Sequence, residues 1–211
     1  MSIALAIFAK NPQVSPVKTR LAQDLGRDKA IRVYRTLLAY TQRTVKQWQD
    51  MATIEVKPYW ALADQASCQD PQWQTFATIW TGEGGLGQRL HHIYSTLLAQ
   101  HDVVILIGSD CPEIELSCFE AAVTKLKDHP VVIGPSHDGG FYLFASDRVI
   151  DSSIWFETQY SCNDTLKQLS TLLSDEALVP EYLTYKSDLD TLDDYQQQLK
   201  RSSMFHAIEN D

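Results

Sequence analysis

The sequence predicts an α/β fold, a three-layer sandwich with helices on both faces of a mixed, mainly parallel sheet. Apolar runs with the length of buried strands, such as VVILIG at 103–108, alternate with longer segments whose apolar residues recur at helical spacing. The exception is DGG at 138–140, which separates two apolar runs and predicts an antiparallel hairpin. Because no repeat or low-complexity linker divides the 211 residues, a single domain over 1–211 is expected.

The same patterns place the elements along the chain. Strands are expected at 3–9, 54–59, 75–80, 103–108, 131–134, 141–145 and 177–186. Helices are expected over 28–48, 88–100, 112–126, 162–174 and 188–200. Segment 148–158 is expected to be irregular, and the tail 206–211 is expected to be frayed.

Composition limits the partners and the location. The net charge is −9 and no dense Lys/Arg cluster exists, which argues against nucleic acid polymers as partners. No segment approaches the ~20 apolar residues of a transmembrane helix, so no membrane span is expected. The four cysteines lack CxxC spacing, and the apolar run after Met1 has the pattern of a first strand rather than a signal peptide. We expect a cytoplasmic protein, and its oligomeric state stays open.

Acidic residues follow two of the predicted strands. Asp110 comes directly after 103–108, and Asp188 and Asp190 come after the last strand. Ligands of open α/β sheets bind at the carboxyl ends of the strands. These carboxylates have two interpretations: they cap the helices that follow, or they bind Mg²⁺ or Mn²⁺, for which carboxylate oxygen is a preferred ligand.

Basic residues and glycines precede two of the helices. Lys10, Lys18 and Arg20 lie in an early stretch without acidic residues. The glycines at 82–87 precede the helix at 88–100, which fits either close approach of the backbone to an anion or a flexible turn with a helix cap. Arg89, in that helix, can pair bidentately with phosphate.

The DGG segment also allows two interpretations. Its simplest role is the hairpin turn itself. Alternatively, Asp138 and the amides of Gly139 and Gly140 line the same cleft as Asp110. The sequence leaves both possibilities open.

Four segments, in this order, carry a resemblance to a known family: AIFAKNPQVSPVKTRLA, GEGGLGQRL, LIGSDCPEI with GPSHDGGFYL, and SDLDTLDDY. Together they resemble the DUF2064 family of glycosyltransferase-A-like (GT-A) proteins, which are related to nucleotidyltransferases such as the phospholactate guanylyltransferases. The resemblance implies the GT-A fold of nucleotide-diphospho-sugar transferases. In that fold a strand-end Asp holds a divalent metal against a nucleotide diphosphate or triphosphate. Some family members are associated with arsenosugar biosynthesis, which implies sugar transfer.

The resemblance also implies roles for particular residues. It places the nucleotide against Ala9, Lys10, Lys18, Arg20, Gly85 and Arg89, with Lys18 and Arg20 on the phosphates. It gives the metal to Asp110 and Asp190, with Asp188 nearby. It makes Asp138 a catalytic base or an acceptor-orienting residue, and it turns Gly139 and Gly140 toward the second substrate.

Two positions depart from the family's pattern. Family members usually carry Gly where Ser15 stands, and often an acidic residue where Gly85 stands. The first change makes the phosphate loop less permissive, and the second removes a polar contact.

Three functions are therefore expected as alternatives. The first is metal-dependent transfer of a sugar from a nucleotide sugar to a small acceptor. The second is nucleotidyl transfer from a nucleoside triphosphate to a phosphorylated small acceptor, with release of pyrophosphate. The third, motivated by the two departures, is an inactive nucleotide-binding or partner protein.

Overall fold

A seven-stranded mixed sheet organises the computed structural model, which describes residues 1–209. Its strand order is β3-β2-β1-β4-β6-β5-β7. The strands are β1 (Ser2–Ala9), β2 (Glu55–Leu62), β3 (Ala77–Trp80), β4 (Val103–Gly108), β5 (Val131–Pro135), β6 (Phe141–Ser146) and β7 (Pro180–Tyr182). Strand β6 runs antiparallel to its neighbours β4 and β5, as the DGG hairpin predicts, whereas the other strand pairs are parallel.

Helices cover both faces of the sheet, which makes the three predicted layers. They are α1 (Thr19–Leu25), α2 (Arg27–Met51), α3 (Leu86–Leu98), α4 (Leu116–Lys125), α5 (Ser152–Glu157), α6 (Thr165–Asp175), α7 (Leu192–Arg201) and α8 (His206–Glu209). Within residues 1–209, none of these helices is both long and apolar enough to cross a membrane.

Alternating side chains of the central strands serve two cores. In β1, Ile3, Leu5 and Ile7 pack with residues of α2 and α4, such as Trp48 and Phe119. The opposite face of the sheet packs against α3, α5 and α6. A third buried cluster joins α1 and α2 to α7 and α8. The continuous apolar runs of β1 and β4 follow from this burial on both faces.

The topology reverses direction between β1 and β4. From β1 the chain moves outward to β2 and β3, and then it returns to the other side of β1 as β4. Parallel strands on either side of such a point send their following loops in opposite directions, which opens a crevice at their carboxyl ends. The loop with Lys18 follows β1 and the loop with Asp110 follows β4, so both flank this crevice.

Four local predictions were wrong in extent or type. The loop before the long helix contains the extra helix α1, and the segment predicted to be irregular contains α5. The predicted strand at 177–186 is reduced to the three residues of β7 plus an isolated bridge at Lys186. Residues 206–209 form α8 rather than a frayed tail, because Ile208 is buried in the third core; residues 210 and 211 of that prediction lie outside the described residues.

Candidate functional site

Lys18 forms the centre of the site. It precedes α1 in the left-handed conformation (φ 47°), and its side chain is only 2% exposed. Its Nζ lies 2.9 Å from Asp110 Oδ1 and donates a hydrogen bond of 2.8 Å to Asp190 Oδ1. Burial lowers the pKa of Lys18, but the charges of Asp110 and Asp190 outweigh that effect and raise it above its ordinary value. The ammonium therefore stays charged while it is buried.

Asp110 and Asp190 are held together by the backbone as well as by Lys18. The Leu189 N–H donates a 3.0 Å hydrogen bond to the carbonyl of Asp110, and the Leu189 side chain is fully buried. The predicted approach of the two acidic strand ends is therefore present in the structure. A helix-capping role explains neither side chain, because the caps of α4 and α7 are Glu115 and Thr191.

Asp188 belongs to the same cluster. Burial, together with the nearby carboxylates of Asp110 and Asp138, raises the pKa of its carboxyl to about 7, although the charge of Lys18 partly offsets this rise. The structure thus brings Asp188 close to Asp110 and to Asp138, which follow other strands of the sheet. Near neutral pH it binds a proton more readily than an ordinary carboxylate does.

Asp110 and Asp190 supply the part of the ligand set that a hard divalent cation takes from protein. The side chains of Asp110 and Asp190 are 43% and 44% exposed, and the buried Oδ1 of Asp110 accepts no hydrogen bond despite its ion pair. Among residues 1–209, no three His, Cys, Asp or Glu side chains are grouped to hold a metal by themselves. Mg²⁺ typically takes one or two carboxylates and completes its shell with water and substrate phosphates, so this pair fits such a metal.

Asp138 is fixed by the turn between β5 and β6. Its Oδ1 accepts hydrogen bonds from the Ser136 hydroxyl and, at 3.0 Å, from the Gly140 N–H. No described residue donates a hydrogen bond to Oδ2. Both interpretations of the DGG segment are thus compatible with the structure, since one oxygen stabilises the turn and the residue also lines a cavity.

The cavity lies over the carboxyl edge of the sheet and has a volume of about 380 Å³. Its lining includes the exposed Arg20 and the four carboxylates of Asp110, Asp138, Asp188 and Asp190. Its floor is apolar, formed by side chains that include Phe8, Leu90, Leu106, Phe141 and Tyr160. A volume near the lower end of the roughly 300–1,000 Å³ of small-molecule sites suits a compact ligand.

Several predicted contact residues lie outside this cavity. Ala9 is buried, and the backbone N–H of Lys10 donates to the Tyr34 hydroxyl at 2.9 Å while the Lys10 side chain is exposed. Gly85 precedes α3 as its N-cap. Gly139 adjoins the cavity through its neighbours only, whereas Gly140 lines it.

Arg89 is committed to the protein itself. Its Nε donates to the Gly84 carbonyl at 3.0 Å, and one terminal nitrogen donates to the Ala63 carbonyl at 3.2 Å and the Thr81 hydroxyl at 3.1 Å. These bonds tie the glycine loop to the ends of β2 and β3. These bonds give Arg89 a structural role, and its contact with phosphate stays a prediction.

The two departures from the family's pattern occupy ordinary backbone. Ser15 has no positive φ, and its hydroxyl donates a 2.7 Å hydrogen bond to Asp64 Oδ1. Gly85 has φ −76°, and a side chain there would first meet the flexible end of Gln88. The backbone conformation therefore does not require the family's usual Gly at position 15, nor does it require an acidic residue at position 85.

One wall of the cavity is formed by a segment whose place relative to the strand ends the sequence left open. Residues 160–163 and 165 line it, with Ser161 in the left-handed region at φ 61°. The sequence carries one signal for this segment, the run of polar residues after an aromatic stretch, but it does not indicate which strand end the segment faces. The structure answers that question: the Leu166 N–H donates to the Gly139 carbonyl at 2.9 Å, so the wall is fastened to the DGG turn.

Comparison with known proteins agrees with this architecture. The profile of a family described as an uncharacterized protein conserved in bacteria (DUF2064) matches residues 44–161, more than half of the chain. No curated protein sequence matches the chain.

Three solved structures illustrate the likeness in fold. A protein from Desulfovibrio desulfuricans G20, provisionally described as a nucleotide-diphospho-sugar transferase, is 22% identical, with a TM-score of 0.82 over 100% of this chain and 95% of that one. The 4-diphosphocytidyl-2C-methyl-D-erythritol synthase of Anaerococcus prevotii DSM 20548 is 12% identical, with a TM-score of 0.61 over 95% and 96%.

The third structure is glucosyl-3-phosphoglycerate synthase from Mycobacterium tuberculosis, in complex with Mn²⁺, UDP and glucosyl-3-phosphoglycerate. It is 9% identical, with a TM-score of 0.54 over 99% of this chain and 79% of that one. These likenesses confirm the predicted fold class, a mixed and mainly parallel α/β sheet of the GT-A type.

Proposed function

Because the chain belongs to the DUF2064 family and has the fold of nucleotide-diphospho-sugar transferases, we propose that it is a nucleotide-utilising transferase that moves a sugar from a nucleotide sugar to a small acceptor. The observation that carries the proposal is the cluster of Lys18, Asp110 and Asp190 at the topological switch point. Switch points are where open α/β sheets bind ligands, and this one adjoins a cavity that contains a carboxylate with a free oxygen.

The diphosphate of the donor would lie at this cluster. Asp110 and Asp190 would hold Mg²⁺ or Mn²⁺, which when bound supplies positive charge to the leaving diphosphate. Lys18 and Arg20 supply two more positive charges. Lys18 is already buried and oriented, so it needs little reorganisation to stabilise negative charge that develops beside it.

Asp138 would act on the acceptor. Its Oδ1 is held by Ser136 and Gly140, so Oδ2 is oriented to accept a proton from an acceptor hydroxyl. The acceptor oxygen forms a bond to the anomeric carbon as the bond from that carbon to the phosphate oxygen breaks. The electron pair of the broken bond leaves with the nucleoside diphosphate, and the hydroxyl proton goes to Asp138.

Nucleotidyl transfer is the second candidate, because the likeness to the A. prevotii synthase extends over almost the whole of both chains. In that reaction a phosphorylated acceptor attacks the α-phosphate of a nucleoside triphosphate and pyrophosphate leaves. Lys18 and Arg20 would neutralise the triphosphate, which carries more charge than a diphosphate.

Product analysis separates the two candidates. The protein is incubated with Mn²⁺ and either nucleotide sugars or nucleoside triphosphates, with acceptor mixtures, and the released nucleotide and pyrophosphate are quantified. Sugar transfer predicts metal-dependent release of nucleoside diphosphate, which Asp110→Asn and Asp138→Asn abolish. The control Asp128→Asn removes the same charge at an exposed position outside the cavity and should retain activity. Release of pyrophosphate alone would reject sugar transfer, and nucleotide binding without turnover would indicate a binding protein.

A further inference from the structure

The charges on the cavity walls are strongly uneven. Among the described residues that line it, Arg20 is the single cation, and it lies on α1, beside the cluster proposed to bind the diphosphate. The wall around Asp138 is formed by uncharged groups: Ser136, Gly140, Ser161, Cys162, Asn163 and Thr165. A phosphate or carboxylate placed against this wall would meet the Asp138 carboxylate with no cation among the residues that line the wall to compensate it.

The start of α6 does not compensate for the missing cation. Helix starts bind anions through free N–H groups, and Thr165 places this helix start at the cavity. However, the Thr165 N–H donates to the Cys162 carbonyl at 3.2 Å, and the Leu166 N–H donates to the Gly139 carbonyl at 2.9 Å. The Asp164 carboxylate at the N-cap position adds a further negative charge. The first two N–H groups of α6 are therefore already used by the protein.

The wall is also built to stay in place. The buried Thr165 hydroxyl lies 2.8 Å from the Gln159 carbonyl, to which it donates, and the Gln159 N–H donates to the Gln168 side chain at 3.1 Å. The DGG turn packs so closely that a Cβ on Gly139 would stand 2.1 Å from the Asn163 carbonyl oxygen. Such a preformed wall selects its ligand by charge and shape rather than by rearrangement.

From these observations we propose that the acceptor is an uncharged molecule that presents a hydroxyl group to Asp138 and an apolar surface to the floor formed by Phe8, Leu90, Leu106, Phe141 and Tyr160. Acceptors phosphorylated at the end that enters the cavity are rejected. This inference rests on the proposed sugar transfer, and it identifies the substrate class for the same site. It also disfavours nucleotidyl transfer to a phosphorylated acceptor at this cavity.

The test uses matched probes with the full chain. Hydrolysis of a panel of nucleotide sugars with Mn²⁺ is measured first, since water is itself an acceptor, and the donor with the fastest hydrolysis is kept. Glucose, 4-nitrophenyl β-glucoside, glucose 6-phosphate and glycerol 3-phosphate are then compared for transfer and for their ability to slow hydrolysis. We expect the nitrophenyl glucoside to exceed the phosphorylated probes by at least about tenfold, a difference of about 1.4 kcal/mol.

A charge variant makes the test independent of the choice of probe. Asn163→Lys places a cation on the acceptor wall, whereas Thr171→Lys places the same charge on an exposed position of α6 outside this cavity. We expect Asn163→Lys alone to shift the preference toward glucose 6-phosphate.

The outcomes separate the two proposals. If no nucleotide sugar is hydrolysed or bound, the proposed function fails. If a donor is hydrolysed but the phosphorylated probes are preferred, or no neutral probe has any effect, the acceptor inference is overturned while the function stands. An unchanged preference in Asn163→Lys would also overturn the assignment of this wall to the acceptor.

Discussion

Lys18 Nζ lies 2.8 Å from Asp190 Oδ1, although the two residues are 172 positions apart in the chain. The same nitrogen is 2.9 Å from Asp110 Oδ1, so one buried cation joins the loops that follow β1, β4 and β7. The charge of Lys18 offsets the repulsion between the Asp110 and Asp190 carboxylates, so the two acidic strand ends can lie next to each other.

Replacement of Lys18 should weaken both the fold and the site. Lys18→Met leaves Asp110 and Asp190 facing each other without a cation, and we expect the free energy of unfolding to fall by about 1–3 kcal/mol, less than for a fully buried pair because both carboxylates are half exposed. Denaturant unfolding measures the change. The exposed Lys10 supplies the control, since Lys10→Met should cost much less. Equal losses in the two variants would contradict the central role of Lys18.

The two arginines near the site should separate function from stability. Arg20→Met removes an exposed cation of the cavity lining, and we expect weaker nucleotide binding with little loss of stability. Arg89→Met removes three hydrogen bonds to the protein's own chain, and we expect a loss of about 1–3 kcal/mol in unfolding free energy. Melting curves with and without nucleotide distinguish these outcomes. If Arg89→Met keeps the stability of wild type and loses only nucleotide binding, the result would support the contact of Arg89 with phosphate that the sequence predicts.

Asp188 should make stability depend on pH in metal-free buffer. Its pKa is about 7 in the folded chain and about 3.9 when unfolded, so between these values the folded state binds more protons. Its contribution to stability is therefore present at low pH and is lost as pH rises toward 7. Asp188→Asn should be more stable than wild type at pH 8, by on the order of 1–3 kcal/mol, and this advantage should disappear near pH 4. Denaturant unfolding of wild type and Asp188→Asn at pH 4 and pH 8, in the presence of a chelator, measures these differences. If Asp188→Asn is less stable than wild type at pH 8, the raised pKa of Asp188 is disproved.

Gly139 and Gly26 offer a matched pair for the packing of the DGG turn. Both have positive φ, at 89° and 80°, but a Cβ on Gly26 meets nothing within 4 Å whereas one on Gly139 would overlap the Asn163 carbonyl. Gly26→Ala should cost about 1–3 kcal/mol, because φ 80° with ψ 156° is a backbone conformation almost confined to glycine. Gly139→Ala should cost clearly more, since the 160–165 wall must also move. Similar losses in thermal or chemical unfolding would mean that the wall is not fastened to the turn.

The sequence predicted those features that depend on local patterns. The β-branched run 103–108 identified β4, DGG identified the antiparallel hairpin, and the position of Asp110 after a strand placed it at the ligand-binding edge. Helices α1 and α5 were missed because each has fewer than eight residues, too few for a helical period to emerge beside prolines or aromatic side chains.

Contacts between distant segments could not be predicted from such patterns. The sequence suggested that Lys18 and Arg89 both contact phosphate, since either cation can do so. Only the fold decides that Lys18 faces two carboxylates and that Arg89 faces carbonyl groups. Likewise, the wall at 160–165 belongs to the site solely because α6 packs on the DGG turn.

The most direct test of the central claim is the melting temperature with and without nucleotide sugar and Mn²⁺, for wild type, Asp110→Asn and the control Asp128→Asn. A ligand that binds only the folded state at 100-fold excess over its Kd adds about 2.7 kcal/mol, which for a chain of this size is a rise of roughly 5–10 °C. We predict such a metal-dependent rise in wild type and in Asp128→Asn and its loss in Asp110→Asn. No rise with any nucleotide, or an equal rise in Asp110→Asn, would contradict the assignment of the Lys18, Asp110 and Asp190 cluster as a metal and nucleotide site.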